Sequence, residues 1–269
     1  MMNNNPDKIR EIVRKHYKDI AVTSSCCNSI PIRDSCCGEK DPYQYSHSLG
    51  YSDERLNELP GQANLGLGCG NPTAFSDLKF GETVLDLGSG GGMDAFIAAK
   101  LVGEEGKVIG VDMTSEMVNL AKKNAAKGGY PQVEFRQGFI EDLPVEDNSV
   151  DLVISNCVVN LSPDKARVYQ EVFRVLKPGG RIAISDPIRI GEIPQEMLSS
   201  DKAFCGCISG AVSIAELETY LTSAGFTNIS ITPEYPPKEV IHEWLNGVDS
   251  NIFPDEFVTS MLIKATKPM

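Results

Sequence analysis

Two groups of residues in this sequence have the types and spacing that chemistry requires. The first is a glycine-rich loop, DLGSGGG at 86–92, followed by a second apolar run that ends at Asp112. Glycines let a backbone approach a ligand closely, and an acidic residue so placed can accept hydrogen bonds from ribose hydroxyls. The second group is the set of eight cysteines, whose thiolates are nucleophiles and ligands for soft ions. We therefore expect a nucleoside-bearing cofactor combined with thiol chemistry.

The glycine loop differs from the dinucleotide-binding pattern G-x-G-x-x-G. Counted from Gly88, the sixth place is occupied by Met93 rather than by glycine or alanine. This departure argues against hydride transfer with a dinucleotide. We therefore expect a related fold that binds a different nucleoside cofactor.

Three cysteine positions are expected to converge beside that loop. Cys69 lies in a glycine-rich stretch before the first predicted strand, Cys157 follows the fourth, and Cys205 and Cys207 follow the fifth. Loops after the strands of a parallel sheet meet at its carboxyl edge. Three thiolates suit a soft ion such as trivalent arsenic, whose lone pair can attack an electrophilic methyl group without a general base. For any single cysteine, a small buried apolar side chain is the alternative.

The N-terminal region contains two pairs of adjacent cysteines, Cys26-Cys27 and Cys36-Cys37. They could serve redox exchange or capture a thiophilic ion. A zinc site is a weaker alternative, because zinc usually takes cysteines separated by two to four residues. A surface segment without function is the third reading, and spacing does not choose among the four thiols.

Short apolar runs alternate with helical patterns from residue 82 onward, which predicts a parallel sheet with helices on both faces. The predicted strands are 83–87, 107–111, 133–137, 150–155, 181–185, 227–233 and 257–264. The predicted helices are 6–20, 93–102, 115–126, 164–176 and 214–224, with a loop at 21–41.

Composition bounds the class of protein. The chain of 269 residues is 41% hydrophobic, enough for a sizeable core, and its net charge is −12 with a pI of about 4.8. We expect no nucleic acid partner and no membrane association, and a cytoplasmic location because the first residues lack the apolar core of a signal peptide.

The predicted division is an N-terminal helix with a cysteine-rich segment at 1–60 and a cofactor-binding domain at 61–269. Residues 186–212 are expected to form a lid on the substrate side.

The loop DLGSGGG resembles the first motif of class I S-adenosylmethionine methyltransferases, D/E-x-G-x-G-x-G. The resemblance covers roughly residues 75–265, and that family's Rossmann-like, seven-stranded, mostly parallel α/β sheet with an antiparallel last strand suits the strand count. It implies S-adenosylmethionine as the cofactor. The implied contacts are to the methionine end (Asp86, Gly88, Gly90), to the ribose (Asp112), to the adenine (Met113, Ile140, Glu141) and to the cofactor more generally (Asn156). For Glu141, a solvated acid at a strand end is the alternative.

Three further motifs resemble the arsenite methyltransferases of bacteria and archaea. They are NLGLGCGNP at 64–72, SNCVVNLSPDK at 155–165 and CISGA at 207–211. The resemblance implies that Cys69, Cys157 and Cys207 bind As(III), with Cys205 as the rival for the third place. It also implies a disulfide between Cys69 and a more N-terminal cysteine during turnover.

The resemblance thus predicts methyl transfer to arsenite or its thiol conjugates, with thioredoxin or glutathione as the reductant of the disulfide. Two alternatives stay open. One is methylation of a small organic molecule at carbon or oxygen, which requires a base or a polar cluster near the methyl group. The other is a thiol-rich arsenic- or metal-binding protein that does not turn over.

Overall fold

The computed structural model describes residues 5–26, 41–244 and 253–269. Its centre is one seven-stranded sheet in the order β3-β2-β1-β4-β5-β7-β6. The strands are β1 Thr83–Leu87, β2 Lys107–Asp112, β3 Val133–Gln137, β4 Val150–Asn156, β5 Leu176–Arg189, β6 Thr227–Pro233 and β7 Val258–Thr266. The first five strands pair in parallel, and β7 pairs antiparallel to both β5 and β6. The fold predicted from the sequence is confirmed.

Helices cover both faces of this sheet. They are α1 Pro6–Cys26, α2 Pro42–Ser48, α3 Asp53–Asn57, α4 Pro72–Phe75, α5 Met93–Val102, α6 Ser115–Gly128, α7 Lys165–Val175, α8 Gln195–Leu198, α9 Asp201–Cys205, α10 Ile214–Ala224 and α11 Lys238–Glu243. Short 3₁₀ turns lie at Val159–Leu161 and Pro254–Glu256. Among the helices in the described ranges, none is long and apolar enough to cross a membrane.

The two sides of the sheet bury separate apolar clusters. Leu85, Val153 and Ile184 point to the side that α7 and α10 cover, and Val84, Leu152 and Ala183 point to the side of α5 and α6. Neighbouring residues of a strand face opposite sides, so strands covered on both faces are apolar throughout. That continuous burial explains why the strands could be predicted from short apolar runs.

Two predicted elements differ from the structure by more than two residues at a boundary. The helix predicted to end at residue 20 continues to Cys26 because Ala21 is buried against the body of the protein. The fifth strand was predicted to start after Pro178-Gly179-Gly180, yet β5 pairs with β4 from Leu176 and shifts register across this segment. It also runs on to Arg189, so the first four residues of the predicted lid belong to the sheet.

Candidate active site

A cleft of about 1050 Å³ opens at the carboxyl ends of β1, β2, β3 and β4. The chain order reverses beside β1, and ligands of open α/β sheets bind at such a switch point. All of the predicted cofactor residues line this cleft: Asp86, Gly88, Gly90, Asp112, Met113, Ile140, Glu141 and Asn156. Their individual contacts with a cofactor stay predictions.

The glycine loop has the backbone shape that only small residues permit. Gly88 and Gly90 have φ angles of +63° and +50°, in the left-handed region. A Cβ atom on Gly88 would lie 2.4 Å from Val158 Cγ2, so a side chain there would collide with the loop after β4. The loop is thus pressed against the residue next to Cys157.

Asp112, at the end of β2, is held by backbone donors. Its carboxylate accepts hydrogen bonds from the N–H of Gly90 at 3.0 Å and of Thr114 at 2.8 Å. Burial raises the pKa of Asp112, and these two N–H groups oppose the rise. Because a carboxylate has about four acceptor sites, lone pairs remain for the ribose hydroxyls of a bound nucleoside.

Asp86, on β1, is a buried acid that lines the same cleft. Within the part of the chain that the structure describes, its Oδ2 atom has no hydrogen-bond partner, and Ser89 Oγ in the glycine loop has none either. Burial, followed by the charges of Asp94 and Asp112, raises the pKa of Asp86 well above its usual value. A cationic ammonium group, as at the methionine end of S-adenosylmethionine, would satisfy this orphaned oxygen and favour the carboxylate. The residues present therefore fit the cofactor.

Glu141 is buried, which excludes the alternative of a solvated acid at a strand end. Its Oε1 atom accepts hydrogen bonds from Ser162 Oγ at 2.8 Å and from Arg10 Nη2 at 3.4 Å. The guanidinium of Arg10 also lies 5.2 Å from the ring centre of Phe139. Glu141 therefore fastens α1 over the edge of the cleft where Ile140 is expected to border the adenine.

Asn156 connects the cleft to the loop that carries Cys69. Its Oδ1 accepts the N–H of Cys69 at 2.9 Å, and its Nδ2 donates to Gly70 O at 2.8 Å and to Tyr51 OH at 3.1 Å. Tyr51 OH in turn donates to the buried carboxylate of Asp94 at 2.6 Å. Asn156 thus lines the predicted cofactor site and also holds the backbone of Cys69.

The thiols of Cys69, Cys157 and Cys207 converge. The Sγ atoms of Cys157 and Cys207 lie within 4.8 Å of each other, and Cys207 Sγ donates to Cys157 O at 3.1 Å. Cys69 Sγ donates to Ser185 O at 3.5 Å, the same oxygen that accepts the Cys157 N–H at 2.8 Å. Cys157 and Cys207 have φ angles of +60° and +62°. Such values are uncommon outside glycine and often mark functional positions.

All three groups are thiols rather than thiolates in this state. Burial raises the pKa of Cys69 to about 11 and raises that of Cys207. The neighbouring thiols of Cys207 and Cys69, and then burial, raise the pKa of Cys157 well above its usual value. The raised pKa values favour uncharged thiols at this site, and binding of an ion would release their protons.

Cys205 and Cys207 occupy different environments. Cys205, at the end of α9, lines the cleft, and its carbonyl accepts a hydrogen bond from Tyr17 OH at 3.3 Å. Burial raises the pKa of its thiol to about 12. The structure places Cys207, rather than Cys205, against Cys157.

Helix α1 covers the thiols on the cleft side. Val13 and Tyr17 pack with Leu161, Phe204 and Cys207 in one apolar cluster. The α1 backbone ends at Cys26, whereas Cys27, Cys36 and Cys37 lie outside the described residues. Their predicted redox or metal-binding role stays a prediction.

Sequence reasoning missed one acid beside the thiols and three groups behind them. Asp186 follows the predicted fifth strand directly, and the rule that identified Asp112 could have found it. Tyr51 and Asp94 reach the site only through tertiary packing, and no sequence signal marks them. Glu234, after β6, accepts hydrogen bonds from Ser185 Oγ at 3.2 Å and Ser260 Oγ at 3.3 Å behind Cys69.

Comparison with known proteins agrees with this geometry. Residues 78–225 match the methyltransferase domain family. An arsenite methyltransferase of Halobacterium salinarum is 44% identical over 98% of this chain and 68% of its own length. Another from Aquipseudomonas alcaligenes is 39% identical over 63% of this chain and 50% of its own length.

A solved structure is also similar. The arsenic(III) S-adenosylmethionine methyltransferase of Chlamydomonas reinhardtii is 33% identical, with a TM-score of 0.59, over 86% of this chain and 75% of that protein. The chain therefore spans 50% to 68% of the length of the two relatives compared by sequence. On sequence, fold and coverage together, the chain belongs to the arsenite methyltransferase family of S-adenosylmethionine-dependent enzymes.

Proposed function

We propose that the chain transfers the methyl group of S-adenosylmethionine to trivalent arsenic held by Cys69, Cys157 and Cys207. The observation that carries this proposal is the convergence of the three cysteines beside the cofactor cleft: the Sγ atoms of Cys157 and Cys207 lie within 4.8 Å, and Cys69 Sγ and the Cys157 N–H share Ser185 O. Three sulfur ligands suit a soft ion, and arsenic keeps a lone pair when it binds them. Zinc would need a fourth ligand to complete its tetrahedral site.

The protonated thiols fit arsenite as the incoming substrate. When As(OH)₃ binds, each Cys S–H bond breaks, one As–S bond forms, and the proton leaves with the hydroxyl as water. Because each thiol brings its own proton, no separate base is required. Cys69 and Cys207 are fully buried while Cys157 is partly exposed, so Cys157 is the first thiol that a substrate in the cleft meets.

The cofactor supplies an electrophilic methyl group on a sulfonium sulfur. The chain contributes position: Asp86 would hold the ammonium group, Asp112 would hold the ribose, and Asn156 fixes the loop of Cys69 relative to both. Holding reactants in line accounts for a large part of such rate accelerations. Val13 and Tyr17 cover the thiols and would exclude water from the reaction.

Turnover requires a reductant, because transfer of the methyl group formally oxidises arsenic. In the step that returns arsenic to the trivalent state, the thiol of Cys26, Cys27, Cys36 or Cys37 would lose its proton and attack Cys69 Sγ. The S–S bond forms, the As–S bond to Cys69 breaks, and its electron pair returns to arsenic. An external dithiol, thioredoxin, or glutathione would then reduce that disulfide. The reductant, a cytoplasmic location, the division at residue 60 and the lid at 190–212 remain predictions of the same proposal.

The test is a methylation assay with purified protein, arsenite, labelled S-adenosylmethionine and a dithiol. Labelled methylarsenic species should form with the wild type and with Cys205→Ser. Cys157→Ser should form none while it still binds the cofactor. Absence of product from the wild type, or full activity of Cys157→Ser, would contradict the proposal. Transfer of label to an organic acceptor instead would favour the small-molecule alternative.

A further inference from the structure

Asp186 is a buried acid on β5, and its residue is 2% exposed. Among the described residues, neither Oδ atom has a partner in regular hydrogen-bond geometry. Burial raises the pKa of Asp186 to about 7, and Lys165 and the N–H groups of Asn160 and Val159 oppose the rise. An isolated carboxylate is costly to bury, so a position of this kind needs a compensating role.

The carboxylate is directed at the thiol site. An Oδ atom of Asp186 and the Sγ atoms of Cys157 and Cys207 all lie within 4.8 Å of one another. An arsenic atom bonded to these sulfurs would therefore sit beside the carboxylate. Lys165 is the nearby cation, but its Nζ donates to Ser162 O at 2.9 Å and forms no ion pair with Asp186 in the described part of the chain.

Activation of the thiols does not explain this placement. The charge of Asp186 contributes to the raised pKa values of both Cys69 and Cys207, because a carboxylate disfavours a second anion nearby. Removing the charge would therefore make thiolates easier to form. The approach of its carboxylate to two of the thiols therefore fits a role in a later step of the reaction.

Methyl transfer supplies such a step. The arsenic lone pair forms the As–C bond, and the C–S bond of the sulfonium breaks with its electron pair returning to sulfur. No proton moves and no external oxidant is consumed, but the positive charge passes from sulfur to arsenic. A carboxylate at the arsenic end of this path is worth most in the transition state, where positive charge has begun to develop on arsenic and also favours the ionised form of Asp186.

We propose that Asp186 stabilises the positive charge that arsenic acquires during methyl transfer. This inference rests on the proposed function. It gives Asp186 a role in the chemical step and none in holding arsenite.

The test separates binding from chemistry in Asp186→Asn, which keeps the shape and removes the charge. Arsenite affinity is read from the fluorescence of Trp244, the single tryptophan. Trp244 packs in the same cluster as Cys69, and its Nε1 donates to Tyr45 OH at 3.3 Å. The methyl-transfer rate constant is read from one turnover of protein loaded with arsenite and labelled cofactor. Asp77→Asn, an exposed acid at 79% side-chain exposure, is the matched control.

Asp186→Asn should bind arsenite as tightly as the wild type or more tightly, and its single-turnover rate constant should fall by about 10- to 100-fold. Asp77→Asn should change neither quantity. A purely structural role would weaken binding and transfer together. If Asp186→Asn fails to bind arsenite, Asp186→Ala is judged by the same two measurements, and loss of binding in both variants overturns the inference.

An unchanged rate constant in Asp186→Asn would also overturn it. Failure of the proposed function is distinguishable, because then the wild type itself would yield no methylated arsenic. If the wild type methylates arsenic and Asp186→Asn does so with an unchanged single-turnover rate constant, only the inference about Asp186 is contradicted.

Discussion

Replacing Asn156 with alanine tests how the site is held together. The amide joins β4 to the Cys69 loop through bonds to Cys69 N–H and Gly70 O, and to the network of Tyr51 and Asp94. Alanine leaves at least the two backbone groups without partners in a largely buried place. Each unsatisfied buried group costs about 1–3 kcal/mol, so the loss of two partners should lower the free energy of unfolding by about 2–6 kcal/mol.

Asn156→Ala should weaken the binding of arsenite more than the binding of the cofactor. Because the Cys69 thiol is no longer fixed against Cys157, arsenite affinity should fall by about tenfold or more, which corresponds to about 1.4 kcal/mol. Urea unfolding followed by circular dichroism gives the stability, and Trp244 fluorescence gives the arsenite affinity.

Asn119→Ala, at an exposed position of α6, is the matched control and should alter stability by no more than about 0.5 kcal/mol. If the free energy of unfolding of Asn156→Ala stays within about 0.5 kcal/mol of the wild type and its arsenite affinity is unchanged, the amide does not act as a clamp.

Three further outcomes are expected. Gly88→Ala should weaken S-adenosylmethionine binding in calorimetry, since its methyl group would lie 2.4 Å from Val158; unchanged affinity would show that the loop yields easily. Because the pKa of Cys69 is raised to about 11, the thiol stays protonated at pH 7, and its proton leaves with the arsenite hydroxyl. The binding enthalpy at pH 7 should then be the same in buffers of different ionisation enthalpy, and a buffer-dependent enthalpy would indicate preformed thiolates. Arg181→Ala breaks a bidentate pair with Glu82 at 2.7 and 2.9 Å and should lower the urea unfolding free energy by about 2–4 kcal/mol; a loss below 0.5 kcal/mol would count against it.

The sheet could be predicted because its strands are buried on both faces. β1 and α5 begin and end where the apolar runs and glycines placed them. The start of β5 could not be found in this way, because Pro178-Gly179-Gly180 resembles a stop and is accommodated by a register shift against β4. The last turns of α1 likewise depend on Ala21 meeting the rest of the fold.

The cysteines could be predicted from strand ends, but their supports could not. Cys157 follows a parallel strand, so its position at the sheet edge was foreseeable. The clamp by Asn156 requires the folded path of residues 68–70, and the approach of Asp186 to Cys157 and Cys207 is visible only in the folded structure. Such facts belong to tertiary packing and leave no periodic signal.

X-ray absorption at the arsenic edge would test the three-thiol site most directly. Arsenite bound to the wild type and to Cys205→Ser should show three sulfur neighbours and no oxygen. In Cys207→Ser, one sulfur should be replaced by oxygen. Two sulfurs in the wild type, or loss of a sulfur in Cys205→Ser with none lost in Cys207→Ser, would contradict the assignment of Cys69, Cys157 and Cys207 as the arsenic ligands.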